Sequence, residues 1–408
     1  MSRIELGIDQ WSATMQPRPK VDAKNGIYEE FNSEGWEWCC ASLPWQIAEV
    51  LQIKEIFGCE LNVMETGKTH GYSNGLSIAN QDFAICWHSD FAYFTMGINI
   101  RFGAKTWHEY CEKYEKKYVV PPILPMLVKK LNLIHPTGFT RIDLTADFFD
   151  YTDISPDYIN TEIDKKEIEV LSVKETAKEL PDGTQKIIKT YRKAYRGKTA
   201  YVRDKKAETL YIGSLKSPVF AVLYDKRAES IKKHGYRYKD ALACKSWMRM
   251  EVRFHGDFAH QISDDFLSWQ PADNMAAYIA KRIDDKYHFS YTKKVDKIPF
   301  SEDLRKTALG CGYGTLSRPH PRDNDLERSR DYMIKYSGLF SWLYKIKKVY
   351  GADMDKKACY WLFDLYNKSF TNSFVDNPEV KNWLKKHLDS ARQVPFTEIF
   401  PPDFQIDL

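Results

Sequence analysis

The stretch Thr140-Arg-Ile-Asp-Leu-Thr-Ala-Asp147 decides the fold, because its apolar and polar residues alternate. Ile142 and Leu144 fall on one side of an extended chain, and Asp143 and Asp147 fall on the other. Strict alternation is typical of a half-buried β-strand, since successive side chains point to opposite faces of a sheet. The stretch therefore predicts a strand with one apolar face and one chemically active face.

Two further segments alternate in the same way. Residues 209–226 include Tyr-Ile-Gly-Ser and then Tyr-Asp-Lys, and residues 247–254 read Trp-Met-Arg-Met-Glu-Val-Arg-Phe. In the last segment Arg249 and Glu251 oppose Met250. Together the three segments predict an α+β protein with a largely antiparallel β-sheet, flanked by helices and followed by a helical C-terminal region.

The active face would carry two carboxylates from different strands. Asp143 and Glu251 could hold one Mg²⁺ or Mn²⁺ ion, because neighbouring strands lie ~4.8 Å apart and Mg²⁺ is usually held by one or two carboxylates with substrate phosphates. Asp147 is a third candidate ligand. Because four residues along a strand place it ~13 Å from Asp143, it is better suited to support the metal ligands or to face DNA unless a bulge intervenes.

Tyr224 is the first candidate nucleophile. It shares a face with Lys226, because positions i and i+2 coincide in a strand, and a nearby cation favours the phenolate or binds a phosphate. A protonated tyrosine is a poor nucleophile, so a metal or a cation must assist it. Tyr211 is the second candidate, since Gly213 and Ser214 could bring the backbone close to a phosphate.

The order of these motifs resembles the replication initiation factor family, Rep_trans, over residues 90–260. The resemblance rests on Thr-Arg-Ile-Asp-Leu, Tyr-Ile-Gly-Ser, Tyr-Asp-Lys and Trp-Met-Arg-Met-Glu. In that family, which contains plasmid rolling-circle initiators and MOBT conjugative relaxases, a tyrosine cuts one DNA strand and keeps the 5′ phosphate. The resemblance implies that Tyr224 is the nucleophile and that Lys226 and Arg249 stabilise the developing charge. It also implies a divalent metal on Asp143 and Glu251.

The expected function is therefore a metal-dependent, site-specific DNA nicking and strand-transfer enzyme that initiates rolling-circle replication. A MOBT-type relaxase with the same chemistry is one alternative. A protein that binds an origin without cutting it is another. Strand-like sequence from Ile4 onwards leans towards the initiator, because relaxases of the family often carry an N-terminal helix-turn-helix domain. The expected partners are DNA and a host helicase, and a homodimer is left open.

A basic and aromatic segment is a candidate DNA surface. Tyrosines at 191, 195 and 201 lie among lysines and arginines, which suits phosphate neutralisation and base stacking. A solvated charged hairpin turned at residues 181–183 explains the same residues equally well. The candidate DNA-contacting residues are Lys189, Arg192, Lys193, Arg196, Lys198 and Arg203 in this segment, and Arg141, Tyr211, Ser214, Lys216 and Ser217 elsewhere.

Several motifs of other protein classes are missing from the sequence. It has no His-x-His pair, which other rolling-circle nickases use for a metal, and no Cys-x-x-Cys pair, so a structural zinc is not expected. Residues 310–314 read Gly-Cys-Gly-Tyr-Gly and lack the lysine of a phosphate-binding loop. Nucleotide hydrolysis is therefore assigned to a separate helicase.

Composition gives weaker guidance. The 60 basic and 56 acidic residues leave a net charge of +4, so DNA binding must rest on local clustering of charge. The eight cysteines are dispersed, which predicts reduced thiols and a cytoplasmic location. No run approaches the ~20 apolar residues that cross a bilayer, so no membrane association is expected.

Coarser patterns predict the organisation of the chain. Residues 1–120 read as strands joined by turns, with strands at 4–15 and 91–102 and helices predicted at 106–118, 126–133 and 264–283. The Pro-rich residues 317–324 read as a linker. We expect a nicking domain over 1–320, with its motifs at 138–260. A helical region over 321–408 would follow, with helices at 326–350, 356–366 and 378–393, as a DNA-recognition or partner-docking module or a packing appendage.

Overall fold

The computed structural model describes residues 2–17, 32–65, 71–118, 123–151, 154–179, 185–234, 237–293, 297–316, 326–335 and 338–370, with a few residues between 380 and 395. The chain divides into two compact units, residues 1–318 and 319–408. The predicted linker at 317–324, the turn at 181–183 and most of the predicted helix at 378–393 lie outside the described residues.

The first unit is built on a large antiparallel sheet. Its ten strands lie in the order β2-β3-β4-β5-β1-β6-β12-β11-β10-β9, and a separate sheet has the order β13-β7-β8. The predicted α+β class with a largely antiparallel sheet is confirmed. In chain order the strands are β1 (Arg3–Met15), β2 (Asn62–Met64), β3 (Asn74–Ser77), β4 (Phe83–Trp87), β5 (Ile98–Phe102), β6 (Thr137–Phe149), β7 (Ile168–Glu179), β8 (Gln185–Lys193), β9 (Lys198–Arg203), β10 (Lys206–Ile212), β11 (Val219–Asp225), β12 (Trp247–His255) and β13 (His288–Tyr291).

Helices flank the sheet in the first unit and make up the described part of the second. In chain order the α-helices are α1 (Ser33–Val50), α2 (Ile53–Phe57), α3 (Ala104–Tyr118), α4 (Ile123–Ile134), α5 (Pro156–Asp164), α6 (Lys226–Lys233), α7 (Tyr238–Ala243), α8 (Asp257–Leu267), α9 (Met275–Lys286), α10 (Pro299–Thr307), α11 (Leu326–Lys335), α12 (Leu339–Tyr350) and α13 (Met354–Leu365). A 3-10 helix covers Phe91–Met96, and a π-helix covers Tyr366–Phe370.

The main core lies on one face of the large sheet. The apolar residues of β6 and β12, such as Leu144 and Val252, are fully buried and pack under α8 and α9. Because side chains alternate along a strand, the same strands turn their charged residues to the opposite face. The alternation at 140–147 and 247–254 therefore correctly predicted both strands and the two faces.

The prediction for residues 1–120 was only partly right. Strand β1 was expected, but residues 33–50 form a helix that has Pro44 in its interior and Asn32 as its N-cap. The strand predicted at 91–102 is a strand only from Ile98 onwards. Before it, the Asp90 side chain accepts from the Ala92 N–H at 2.9 Å and starts the 3-10 helix. Such a side-chain cap stabilises helical turns over extended chain.

The second unit contains two helices that pack together, α12 and α13. The single helix predicted over 326–350 is divided into α11 and α12, and Gly338 precedes α12 with a positive φ of 73°. In the part of the chain that the structure describes, no helix has the length and apolar character needed to cross a bilayer. All eight cysteines are free.

Candidate active site on the polar face of the sheet

The three motif strands are neighbours, and their charged residues share one face. Tyr224 on β11 is paired with Arg249 on β12, which is paired with Asp147 on β6. Two residues further along β12, Glu251 is paired with Thr145 of β6. Directly paired residues of antiparallel strands have their side chains on the same face. The structure therefore brings the predicted nucleophile and the predicted carboxylates together.

Asp143 and Glu251 are diagonal neighbours across β6 and β12, because Asp143 is paired with Arg253. The Asp143 side chain is fully buried, and Glu251 is buried as well. Burial raises the pKa of Glu251, and the hydrogen bond and negative charge of Asp143 raise it further. Burial beside a second carboxyl therefore favours the protonated form of Glu251.

Two arginines neutralise this carboxyl pair from one side. Arg141 donates from Nε and Nη2 to the two oxygens of Asp143, at 2.9 and 2.6 Å. Arg253 donates from Nε to Glu251 Oε1 at 2.7 Å. Arg141 was predicted to contact DNA. That stays a prediction, and in the structure its guanidinium forms a bidentate contact with Asp143, which orients that carboxylate.

The pair fits a hard cation in its donor chemistry. Among the described residues, no group of three or more His, Cys, Asp or Glu side chains is arranged to hold a metal ion. Two carboxyls that share a hydrogen bond are nevertheless a place where a divalent ion could replace the proton. Mg²⁺ commonly takes one or two carboxylates and completes its shell with water and phosphate oxygens. Asp143 and Glu251 are the residues that would hold it.

Asp147 was predicted as a metal ligand, and this stays a prediction. Arg249 donates to both of its oxygens at 2.7 Å, and the Trp247 indole donates to Oδ1 at 2.8 Å. Arg237 donates to Oδ2 at 3.3 Å. Four N–H groups therefore occupy the carboxylate, which acts as the buried anion partner of two arginines.

Arg249 was predicted to stabilise charge on the phosphate, and this stays a prediction. The residue is 4% exposed, and its guanidinium is committed to Asp147 through Nε and Nη2. Its remaining nitrogen, Nη1, donates to Asp9 Oδ1 at 2.8 Å. Arg249 therefore links two carboxylates on the strand next to Tyr224.

Asp9 is a site residue that the sequence reasoning missed. The pairing of β1 with β6 shifts its register between Ile8 and Gln10, which leaves Asp9 unpaired in a β-bulge. A bulge adds one residue to a strand and re-aims a side chain, and here Asp9 reaches the polar face. Burial raises the pKa of Asp9, while Arg249 opposes that rise. The signal was present in the sequence, because the apolar positions change from even to odd between Ile8 and Trp11.

Lys226 was predicted to continue strand β11, but the strand ends before it. The Asp225 side chain accepts from the Ala228 N–H at 2.8 Å and caps a helix, so Lys226 is the first residue of α6. Its ammonium still lies near Tyr224, at 5.6 Å from the ring centroid, and donates to Glu229 Oε2 at 2.6 Å. The lysine therefore comes close to the tyrosine through a strand-to-helix turn.

Tyr224 is partly buried at the edge of this charged cluster. Burial raises the pKa of its phenol, and the positive charge of Arg249 opposes the rise. The negative charges of Glu251 and Asp9 also act on the phenol. Tyr224 is therefore protonated at neutral pH, and its use as a nucleophile requires a proton acceptor.

A cavity of about 340 Å³ lies beside the cluster, between β1, β6 and α3. Asp9, Asp147 and Arg249 line it on the sheet side, and His108 lines it on the helix side. Burial, followed by the positive charge of Arg237, lowers the pKa of His108. The cavity gives the buried charges a route to solvent.

The predicted DNA-contacting residues are placed in different settings. Lys198 was predicted to contact DNA, and this stays a prediction. Its side chain is mostly buried and pairs with Asp164 of α5 at 2.9 Å. Lys189 pairs with Glu175 at 3.1 Å, and Arg203 pairs with Glu208 at 3.4 Å. Lys189 and Arg203 remain exposed, as do Arg192, Lys193 and Arg196.

The loop after β10 is compact. The Ser217 N–H donates to the Ser214 carbonyl at 2.8 Å, and the Lys216 N–H donates to Ser214 Oγ at 3.2 Å. Gly213 has a φ of 100°, a conformation that glycine adopts at little cost. Lys216 is exposed beside Ser214, so these predicted DNA contacts form one turn between β10 and β11.

Residues 137–308 match the family model described as replication initiation factor, Rep_trans. The resemblance to that family is confirmed over this segment. The Rep_trans match runs from β6 to α10 and includes Asp143, Tyr224 and Glu251. Asp9 lies outside it.

A solved rolling circle replication initiator protein from Geobacillus stearothermophilus aligns with 77% of this chain and 100% of that chain. The identity is 14% and the TM-score is 0.46. No curated protein matches the chain.

Proposed function

We propose that this protein is a site-specific DNA nicking and strand-transfer enzyme that initiates rolling-circle replication. One observation carries the proposal. Strands β6, β12 and β11 are adjacent, and they present Asp143, Glu251 and Tyr224 on one face. The match to the replication initiation factor family supports DNA as the substrate.

The reaction is a transesterification at tyrosine. The Tyr224 oxygen attacks the scissile phosphorus and forms a phosphotyrosine bond to the 5′ side. The bond to the 3′ oxygen breaks, and this oxygen leaves as a hydroxyl after taking up a proton. The phenol proton passes to a base, and one phosphodiester replaces another, so attack by the 3′ hydroxyl reverses the step.

Residues around Tyr224 supply what the reaction needs. Three carboxyls have charges that act on the phenol, namely Glu251, Glu229 and Asp9. Glu251 and Asp9 are the candidate proton acceptors, and Glu229 pairs with Lys226 and Lys233. The Lys226 ammonium would favour the phenolate or bind the phosphate. A divalent ion held by Asp143 and Glu251 would, when bound, polarise the phosphate.

A conjugative relaxase would run the same reaction at an origin of transfer. The origin that is cut therefore decides between the two functions. In either case a separate helicase would unwind the DNA. A protein that binds an origin without cutting it would tolerate the loss of Tyr224.

The test is incubation of supercoiled origin DNA with wild type and Tyr224→Phe, in Mg²⁺ or Mn²⁺. Denaturing gels measure nicked DNA and covalent protein–DNA adducts. We expect both products with wild type and neither with Tyr224→Phe, while Tyr211→Phe, the matched control, retains both. Equal nicking by Tyr224→Phe would move the assignment to Tyr211. Binding without nicking by the wild type would favour the binding-only function.

A further inference from the structure

The polar face extends beyond Tyr224 to the edge of the sheet. Thr209 of β10 is paired with Tyr224, and Tyr201 of β9 is paired with Thr209. Two residues further along β10, Tyr211 is paired with Val222 of β11. Tyr211 and Tyr201 therefore lie on the same face as Tyr224, on two successive strands.

These two tyrosines become more exposed with distance from the candidate site. Val222 is buried, Tyr211 is partly buried, and Tyr201 is 55% exposed. The opposite face of β10 is fully buried through Leu210 and Ile212. The outer tyrosines therefore do not serve the core. They form an open aromatic surface on a sheet that is otherwise packed on its other side.

Cations border this surface at both ends. Beyond Tyr201 the chain turns through Arg203, Lys205 and Lys206, and the loop after β10 presents Lys216. The same turn and strand contain two acidic residues, Asp204 and Glu208, so the four cations outnumber them. The excess positive charge complements a phosphate backbone. Aromatic faces flanked by cations are the usual means of binding unpaired nucleotides.

We propose that Tyr211 and Tyr201 form a stacking track for the unpaired nucleotides that flank the phosphate at Tyr224. Two inter-strand spacings separate β11 from β9, about 10 Å, which accommodates two or three nucleotides at ~3.4 Å each. The track rests on the proposed function, because its register is set by the attacking tyrosine. The track predicts the positions of the bound bases relative to the scissile phosphate. It does not depend on the identity of those bases.

The track can be tested by binding, without cleavage. The background is Tyr224→Phe, and the probe is a short mixed-sequence DNA strand with a fluorescein label and one 2-aminopurine. We expect Tyr201→Leu and Tyr211→Leu to weaken binding about ten-fold each and to relieve quenching of 2-aminopurine. Tyr201→Phe should restore both readouts, because stacking requires the ring and not the hydroxyl.

A matched control lies next to Tyr201. Val202 is also 55% exposed, on the same strand and the opposite face, so Val202→Ala should leave binding and quenching unchanged. Lys206→Ala should instead lower the salt dependence of binding by about one counterion. Wild-type affinity and quenching in both leucine variants would overturn the track. If the wild type nicks DNA while the leucine variants keep wild-type affinity and quenching, the track alone is overturned. If the wild type does not nick DNA while the leucine variants lose affinity and quenching, the proposed function alone is overturned.

Discussion

Arg249 and Asp147 form a buried bidentate ion pair across β12 and β6, and both nitrogen-to-oxygen distances are 2.7 Å. Each side chain is 5% exposed, so water contributes little to its solvation. The same arginine also holds Asp9 at 2.8 Å. The polar face below Tyr224 is therefore organised by one guanidinium.

Replacing Arg249 should destabilise the fold. Arg249→Met leaves Asp147 buried without its main partner, and breaking a buried pair in this way costs about 3–5 kcal/mol. Urea denaturation followed by circular dichroism measures the loss. The exposed pair of Arg3 and Glu5, 3.0 Å apart, is the control, because Arg3→Gln should cost less than about 1 kcal/mol. Equal stability of both variants would show that the buried pair does not organise the sheet.

The pH dependence of stability should report Asp9. Its pKa is raised in the folded protein, so the folded state holds this proton more firmly than the unfolded state. The stabilisation is present at low pH and is lost as pH rises above the ordinary carboxylate pKa of about 4 through the raised value. We therefore expect Asp9→Asn to gain melting temperature relative to wild type as pH rises, in buffers with chelator.

Asp150 provides a control of opposite sign. The backbone N–H groups of Lys245 and Ser246 lower the pKa of Asp150, so its stabilisation is present above the ordinary value and is lost as pH falls. Asp150→Asn should therefore differ from wild type less and less as pH falls below about 4. A pH-independent difference for Asp9→Asn would show that Asp9 has no raised pKa.

Local pattern predicted the strands that carry the site. Alternation is a property of adjacent residues, so Asp143, Arg249 and Glu251 were placed on the correct face from sequence alone. Partner choice was not predictable in the same way. Arg249 and Asp147 are 102 positions apart, and their register follows from the pairing of whole strands.

Small irregularities account for the other differences. The cap that Asp225 forms ends β11 and places Lys226 on a helix, although the spacing of Tyr224 and Lys226 fits a strand. The bulge at Asp9 is visible in the sequence as a shift in the alternation of apolar and polar residues. The shift predicts the strand only if one extra residue is allowed for. Pro44 lies inside α1, where proline normally argues against a helix.

Divalent ions should bind through Asp143 and Glu251. Mn²⁺ that binds the folded state alone raises the free energy of unfolding by RT ln(1 + [Mn²⁺]/Kd), and the melting temperature rises as a result. We expect Glu251→Gln to abolish most of this shift, because the neutral amide replaces one of two carboxylates. Calorimetric titration with Mn²⁺ gives a second readout that does not require DNA.

A distant carboxyl is the control for that experiment. Asp285 is buried and pairs with Lys281 at 3.1 Å, on a helix away from the polar face. Asp285→Asn should change stability but retain the Mn²⁺ shift. Loss of the shift in both variants, or in neither, would remove Asp143 and Glu251 as the cation site.

Lys226 should matter for catalysis more than for folding, and Lys233 provides the comparison. Both lysines donate to Glu229 at 2.6 Å, one to each oxygen, but only Lys226 lies beside the Tyr224 ring. Each glutamine variant removes one helix ion pair, worth about 0.5 kcal/mol. We expect Lys226→Gln to slow nicking about 100-fold, because a charge beside the phosphate is lost, and Lys233→Gln to nick at the wild-type rate. Single-turnover nicking at saturating enzyme measures both rates. Equal rates for the two variants would leave Lys226 as a helix residue with no part in the reaction.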